Sequence, residues 1–273
     1  MARRIDITDI AQPEVALYNE RAEVRLKHYF EPAPGLFIAE SARVALRALS
    51  AGYRACSLLI AEEELEKEET AELITLAGDV PLYVGKEEVL DRIAGYHLTR
   101  GVLCACYRKE LPDIAQVLQG AKRIAVLEEI GNPTNAGAIF RNAAALGIDA
   151  LLLTAGSTNP FYRRAVRVSM GTVFTLPFTF TEKNVCPRLK ESGFTCVAAA
   201  LRDDALTPED PAFHRAKRLA LFLGTENAGL SADTVNACDH VVKIPMQNDV
   251  DSLNVAAASA VLFYALCGRF PSS

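Results

Sequence analysis

Three short polar loops, each following an apolar run, carry the residue types that could do chemistry. The first reads GNPTNAGAIFRNAAALG from Gly131 and offers Asn132, Thr134, Asn135 and Arg141. It opens a helix whose apolar stripe runs through Ile139, Ala143 and Leu146. Arg141 lies two residues beyond Ile139, a turn of about 200°, so its guanidinium points off that stripe toward a cleft or solvent. Such a group suits the clamping of an anion. In the second loop, LFLGTENAGLS, a strand ends at Gly224, and Glu226 and Gly229 precede a helix starting near Ser231. Glycines so placed let backbone approach a ligand closely. The third, VVKIPMQNDVDSLNVAAASAVLFYAL, sets Ile244, Pro245 and Met246 after a strand, then Ser252, Leu253 and Asn254 at the head of a long small-residue helix. Taken singly these are ordinary features: Thr134 or Asn135 an N-cap, Arg141 a surface arginine, the glycine loop a βα turn, Ser252 a helix cap.

Other chemistries lack their fingerprints. No G-x-G-x-x-G follows the first strand of either half, and there is no G-x-x-x-x-G-K-[ST], H-E-x-x-H or G-x-S-x-G. The four histidines, His28, His97, His214 and His240, are far apart in sequence. Seven cysteines, among them Cys56, Cys104, Cys106, Cys196 and Cys267 in apolar runs, form no C-x-x-C pair, which argues against a disulfide framework and a zinc site. The expectation is a metal-free site. The start, MARRIDITDIAQPE, has no apolar core after its arginines, and no stretch approaches 18 uninterrupted apolar residues. No membrane segment is expected, and a reducing cytoplasm fits.

The elements that must position these loops read as α/β throughout. At 273 residues two domains are the natural division, 1–115 and 116–273. The first half predicts a helix over Pro13–Phe30, a strand at Leu36–Ala39, a capped helix over Ser41–Ala51, and strands at Cys56–Ile60, Pro81–Val84 and Val102–Tyr107. Helices at Glu62–Leu76 and Lys86–Ile93 separate these strands. The second half alternates IAVLEE, a helix over Ala136–Leu146, ALLLT, a helix over Phe161–Ser169, TVFTLPF, TCVAAAL, LALFLG, HVVKIPM and a helix from Ser252 to Cys267. That alternation predicts a mostly parallel sheet covered on both faces.

Charge is unevenly shared within a net −5. Residues 1–120 carry 14 Lys and Arg against 20 Asp and Glu, a balance of −6, while residues 121–273 carry 15 against 14, a balance of +1. Much of the acid lies between Glu62 and Glu72, read as a solvated helix face. Arg163, Arg164 and Arg167, followed by Ser169-Met170-Gly171, form the densest basic cluster of the second half. They read as RNA phosphate contacts or as a solvated helix face.

In order and spacing, the three loops together resemble the motifs of the SpoU/TrmH family of RNA ribose 2′-O-methyltransferases, within the SPOUT superfamily. Asn135-x-Gly137-x-x-x-Arg141 is similar to its first motif, and Gly224-x-Glu226-x-x-Gly229-Leu230 to its second. Ile244-Pro245-Met246 with Ser252-Leu253-Asn254-Val255 is similar to its third. The resemblance implies a deep trefoil knot in the C-terminal α/β domain, a homodimer, and S-adenosylmethionine lying against Gly224, Gly229, Ile244, Met246, Ser252 and Leu253, helped by Ala199 and Leu201. It implies a catalytic group of Asn135, Arg141, Glu226, Ser252 and Asn254. The first half resembles the smaller α/β/α substrate-binding domain, of the ribosomal-protein L-thirty-e type, that grips structured RNA in the family.

Methyl transfer to a ribose oxygen needs donor and acceptor aligned and a hydroxyl proton removed. Asn135, Ser252 and Asn254 supply short directional hydrogen bonds. Arg141 stays protonated, so phosphate clamping suits it better than acting as a base. Glu226 is read as fixing the cofactor loop. The extra N-terminal domain favours ribosomal over transfer RNA, with a non-catalytic RNA-binding or ribosome-assembly factor as the alternative of another class.

Overall fold

The computed structural model describes residues 3–9, 11–19, 35–98, 100–225, 228–248 and 250–267. The chain begins with β1 (Arg3–Asp6), β2 (Leu36–Glu40), α1 (Ala42–Ser50), β3 (Ala55–Ala61), α2 (Glu68–Ala77), β4 (Pro81–Gly85), α3 (Glu87–Ala94) and β5 (Val102–Tyr107). Next come α4 (Ile114–Leu118), β6 (Arg123–Leu127), α5 (Pro133–Ala145), β7 (Ala150–Thr154) and α6 (Arg163–Val168). It continues through β8 (Phe178–Thr181), α7 (Cys186–Glu191), β9 (Thr195–Ala199), α8 (Pro211–Arg215), β10 (Leu219–Leu223), α9 (Ala232–Ala237), β11 (His240–Val242) and α10 (Val255–Cys267). Two compact units result, Met1–Glu110 with Phe161–Thr175, and Leu111–Pro160 with Leu176–Ser273.

The first unit is built on a sheet of order β1-β4-β3-β5-β2. β1, β4 and β3 run parallel, and β5 is antiparallel to both β3 and β2. Even LFIAE in β2, at the edge of the sheet, is buried along its length because both faces are covered. Ser41 caps α1 by accepting the Val44 N–H at 3.4 Å. The acidic run is not one helix: Glu62–Glu64 is a 3-10 turn, and α2 starts only at Glu68. Lys67, extended at ψ 138°, separates the two and stands at the N-cap of α2, paired with Glu64 at 2.6 Å. Pro13–Tyr18 is likewise a 3-10 turn, and the rest of the expected first helix, from residue 20, lies outside the described residues.

The segment Phe161–Thr175 falls in this first unit, although the sequence predicts a boundary near residue 115 with everything after it in the second. Aromatic packing explains the difference. The rings of Phe161 and Phe174 lie 5.2 Å and 5.0 Å from that of Phe37, within a cluster that includes Tyr53. For the same reason TVFTLPF is not one strand. Thr172–Phe174 forms a 3-10 turn after Gly171 at φ 81°, and β8 begins at Phe178.

The second unit has an all-parallel six-stranded sheet of order β11-β9-β10-β6-β7-β8. Buried runs such as LALFL in β10 and ALLLT in β7 match the expected doubly covered sheet. On one side α10 packs along α5, where the Asn142 amide donates to the Ala256 carbonyl at 2.9 Å and the Ser259 hydroxyl at 3.0 Å. α10 begins at Val255, three residues later than expected, because Asn254 rather than Ser252 is its cap: the Asn254 Oδ1 accepts the Ala256 N–H at 2.9 Å. Among the described residues no helix is long and apolar enough to cross a membrane.

Candidate active site

In a parallel sheet the loops leaving the C-terminal strand ends share one edge, and ligands bind there. β9 ends at Ala199, β10 at Leu223 and β11 at Val242, and their loops enclose a cavity of about 730 Å³. Ala199, Leu201, Gly224, Gly229, Ile244, Met246, Ser252 and Leu253, separated by up to 54 positions in the chain, all line it. Side chains of Leu201, at 64% exposure, and of Leu253 are apolar and exposed at this site.

The glycine loop is shaped by a tight reversal. Thr225 and Gly229 exchange backbone hydrogen bonds of 3.1 Å and 3.0 Å, and Gly229 takes φ 67°. Gly224 has no room for a side chain, since a Cβ there would sit 2.2 Å from the Gly229 carbonyl carbon. Glu226 lies outside the described residues. A carboxylate that sequence reasoning missed secures the far side of the loop. Glu128, buried at the end of β6, accepts the Ser231 N–H at 2.8 Å and the Thr234 hydroxyl, so it ties the start of α9 to the sheet. The signal was the acidic pair that closes IAVLEE.

The first loop meets the third through side chains. Asn132, not Thr134 or Asn135, caps α5 by accepting the Thr134 N–H at 2.8 Å, with Pro133 at the first helical position. Asn135 is thereby released from capping. It is buried, and its Oδ1 accepts the Asn254 amide at 3.3 Å. Ser252 is exposed on the cavity wall, and Arg141 is exposed on α5 and is not among the residues lining the cavity. In the loop before α5, Glu129 holds φ 55° and pairs with Lys183 at 3.0 Å, a hydrogen bond that raises the ammonium pKa. Among the described residues no group of three or more His, Cys, Asp or Glu could hold a metal ion.

The three arginines of α6 do not form one solvated face. Arg163 is 6% exposed, donates to the Tyr18 carbonyl at 3.1 Å and lies against the Tyr96 ring. Arg167 is half-buried and pairs with the buried Glu40 at 3.3 Å, while Arg164 is exposed. A buried guanidinium with those partners holds the first unit together and is withheld from phosphate. Arg163→Ala is therefore expected to destabilise the fold by roughly 2–4 kcal/mol, as loss of a buried charged group does, and to leave the salt dependence of RNA binding unchanged. A thermal melt and a salt titration check this; a changed slope with an unchanged melting temperature would return Arg163 to the RNA surface.

A family model for the SpoU rRNA Methylase family matches residues 122–264. The chain is 38% identical over 264 residues to an uncharacterized tRNA/rRNA methyltransferase of Mycobacterium bovis, covering 95% of this chain and 90% of that one. To the 23S rRNA (guanosine(2553)-2′-O)-methyltransferase of Bacillus subtilis it is 27% identical over 210 residues, 77% of this chain and 82% of the relative. Among solved structures, an AdoMet-bound rRNA methyltransferase from Sinorhizobium meliloti superimposes with a TM-score of 0.81 at 23% identity, over 96% of this chain and 97% of that one, a likeness of fold.

Proposed function

This chain belongs to the SpoU rRNA methylase family of RNA methyltransferases, and we propose that it moves the methyl group of S-adenosylmethionine to a ribose 2′-hydroxyl of structured RNA, ribosomal RNA in preference to transfer RNA. One observation carries the reading: residues of the second and third loops converge on a single cavity, and the first loop is joined to the third by the Asn135–Asn254 hydrogen bond. The identity to a 23S rRNA 2′-O-methyltransferase supports the ribose acceptor and the ribosomal substrate.

The cavity fits such a cofactor. Its volume is in the range of pockets that enclose ligands of this size, and Leu223, Ile244, Met246, Val255 and Leu262 offer apolar walls beside exposed backbone of the glycine loop. When bound, the cofactor supplies a methyl carbon on a sulfonium, open to in-line attack by an oxygen. This chain's own residues do the rest. Gly224 and Gly229 bring backbone against the ligand, Asn254 and Ser252 hold polar groups at the head of α10, and Glu128 keeps the loop from moving. Arg141 clamps a phosphate of the RNA, which orients the ribose hydroxyl and stabilises charge developing on its oxygen. The hydroxyl proton leaves to a neighbouring phosphate or water.

We assign the first unit to gripping structured RNA, and Glu226 to bracing the cofactor loop. α10 supports the homodimer: it has no charged residue, and Val261 and Tyr264, 41% and 61% exposed, stand on one face with Ala257. The return of α10 onto α5 supports the threaded segment of a trefoil knot. Incubation with labelled S-adenosylmethionine and unmodified 23S rRNA or tRNA, followed by mapping of alkali-resistant linkages, tests the reaction. Label in an alkali-resistant ribosomal site is the expected result. Label in tRNA alone reverses the substrate preference, label on a base overturns the ribose acceptor, and cofactor binding absent altogether leaves the assembly-factor reading.

A further inference from the structure

We propose that a groove at the end of the second sheet remote from the cofactor cavity binds backbone phosphates of the RNA substrate, an inference that rests on the RNA methyltransferase reading. The tripeptide Ala-Lys-Arg occurs twice, as Ala121-Lys122-Arg123 leading into β6 and as Ala216-Lys217-Arg218 leading into β10. These strands are adjacent and parallel, with Leu219 opposite Arg123, so the two tripeptides stand side by side at the N-terminal edge. His214 and Arg215, at the end of α8, join them. Together they line a groove of about 910 Å³ that contains no carboxylate.

Two of the arginines build the groove rather than fill it. The Arg123 guanidinium donates to the Ala216 carbonyl at 3.0 Å and to those of Lys122 and Lys217 at 3.1 Å. Arg218 donates to the carbonyls of Leu118, Ala121 and Ser192 at 2.7–2.9 Å and lies 4.0 Å over the Phe194 ring. Their charge is thus fixed in place. Lys122, Arg215, Lys217 and His214 are exposed around them. Among the described residues none of the six pairs with a carboxylate, whereas Lys183 and Lys190 of the same unit each have one, at 3.0 Å and 2.8 Å. Nearby Asp149 turns its Oδ2 to the backbone N–H groups of Lys122 and Arg123.

In a chain of net charge −5, such a concentration of unneutralised positive charge in a concave site draws a polyanion. The remaining lining is Gly120, Ala121 and Ala216, with no apolar side chain large enough to enter a bilayer or to pack a peptide, which favours RNA over a membrane or an acidic protein. Five-residue strands separate the groove from the cofactor cavity by about 17 Å, a distance that one folded RNA can bridge.

The test uses the full chain, 23S rRNA and the triple variant Lys122→Ala, Arg215→Ala, Lys217→Ala, which leaves the two anchoring arginines in place. Removing three phosphate contacts is expected to make the plot of log affinity against log salt shallower by about 2. KM for RNA should rise by about tenfold while kcat at saturating RNA and S-adenosylmethionine affinity stay at wild-type values. The milder pair Lys122→Gln, Lys217→Gln should give a shallower slope as well, a smaller change in the same direction. An unchanged slope in both variants overturns the proposal, as does a fall in kcat at unchanged KM. Wild-type protein that binds 23S rRNA without methylating it, while the variants lose slope, overturns the substrate assignment and leaves the groove standing.

Discussion

Gly224→Ala is expected to weaken S-adenosylmethionine binding at least about 100-fold, which corresponds to roughly 2.7 kcal/mol. The added Cβ would fall 2.2 Å from the Gly229 carbonyl carbon, 2.3 Å from its oxygen and 2.3 Å from the Leu230 nitrogen. Carbon atoms in contact sit about 3.5–4.0 Å apart, so the facing backbone must retreat by more than about 1 Å. It is backbone, not the free end of a side chain, and it cannot swing aside without breaking the paired Thr225–Gly229 hydrogen bonds. Moving that strand of the loop moves the cavity wall. Gly229→Ala is the control. Its φ of 67° strains an alanine by about 1–2 kcal/mol, yet nothing lies within 4 Å of the new methyl, so its effect on binding should be the smaller of the two. Calorimetric titration with thermal melts separates lost binding from lost folding. Wild-type affinity in folded Gly224→Ala would mean that this loop is not the cradle.

How far the sequence goes toward this site depends on the kind of information each residue carries. Strands were legible because buried parallel strands leave apolar runs, and β5, β6, β7 and β10 fall within a residue or two of their predicted places. Six of the eight cavity residues were legible only as members of the second and third motifs, and Ala199 and Leu201 only through the family resemblance, since no periodicity links Ala199 to Leu253. Short helices such as α7 and α8 escaped, being too brief to show a stripe. So did β1, an edge strand whose RRID has no apolar run. The α6 arginines show a further limit. Charge in the sequence says that a guanidinium is present, not that it meets water, and Arg163 is buried because the aromatic residues on either side of α6 pack into the first unit. Asn254 displaced Ser252 as the cap for a related reason: both are good caps, and only the side-chain contact of Asn254 with Asn135 on the neighbouring helix decides between them.

Arg141→Ala is expected to lower kcat by roughly 100-fold or more while S-adenosylmethionine affinity stays at the wild-type value. The two effects separate because of where the residue stands. Six positions after Asn135 on a helix, Arg141 is turned about 120° around the axis and lies about 9 Å along it, on an exposed face outside the cavity lining. In the proposed reading it therefore acts on the acceptor, not the donor. A guanidinium that never deprotonates cannot take the ribose proton, but its fork can hold a phosphate and the developing alkoxide in one geometry. Arg141→Lys keeps the charge and loses the fork, so an intermediate rate is expected. The pH dependence of kcat distinguishes clamp from base. If Arg141 only clamps, the residual activity of the alanine variant titrates with the same apparent pKa as the wild type, because the proton acceptor is still present. Loss of the rise of kcat with pH in that variant would make Arg141 the base, and full activity would remove it from the reaction.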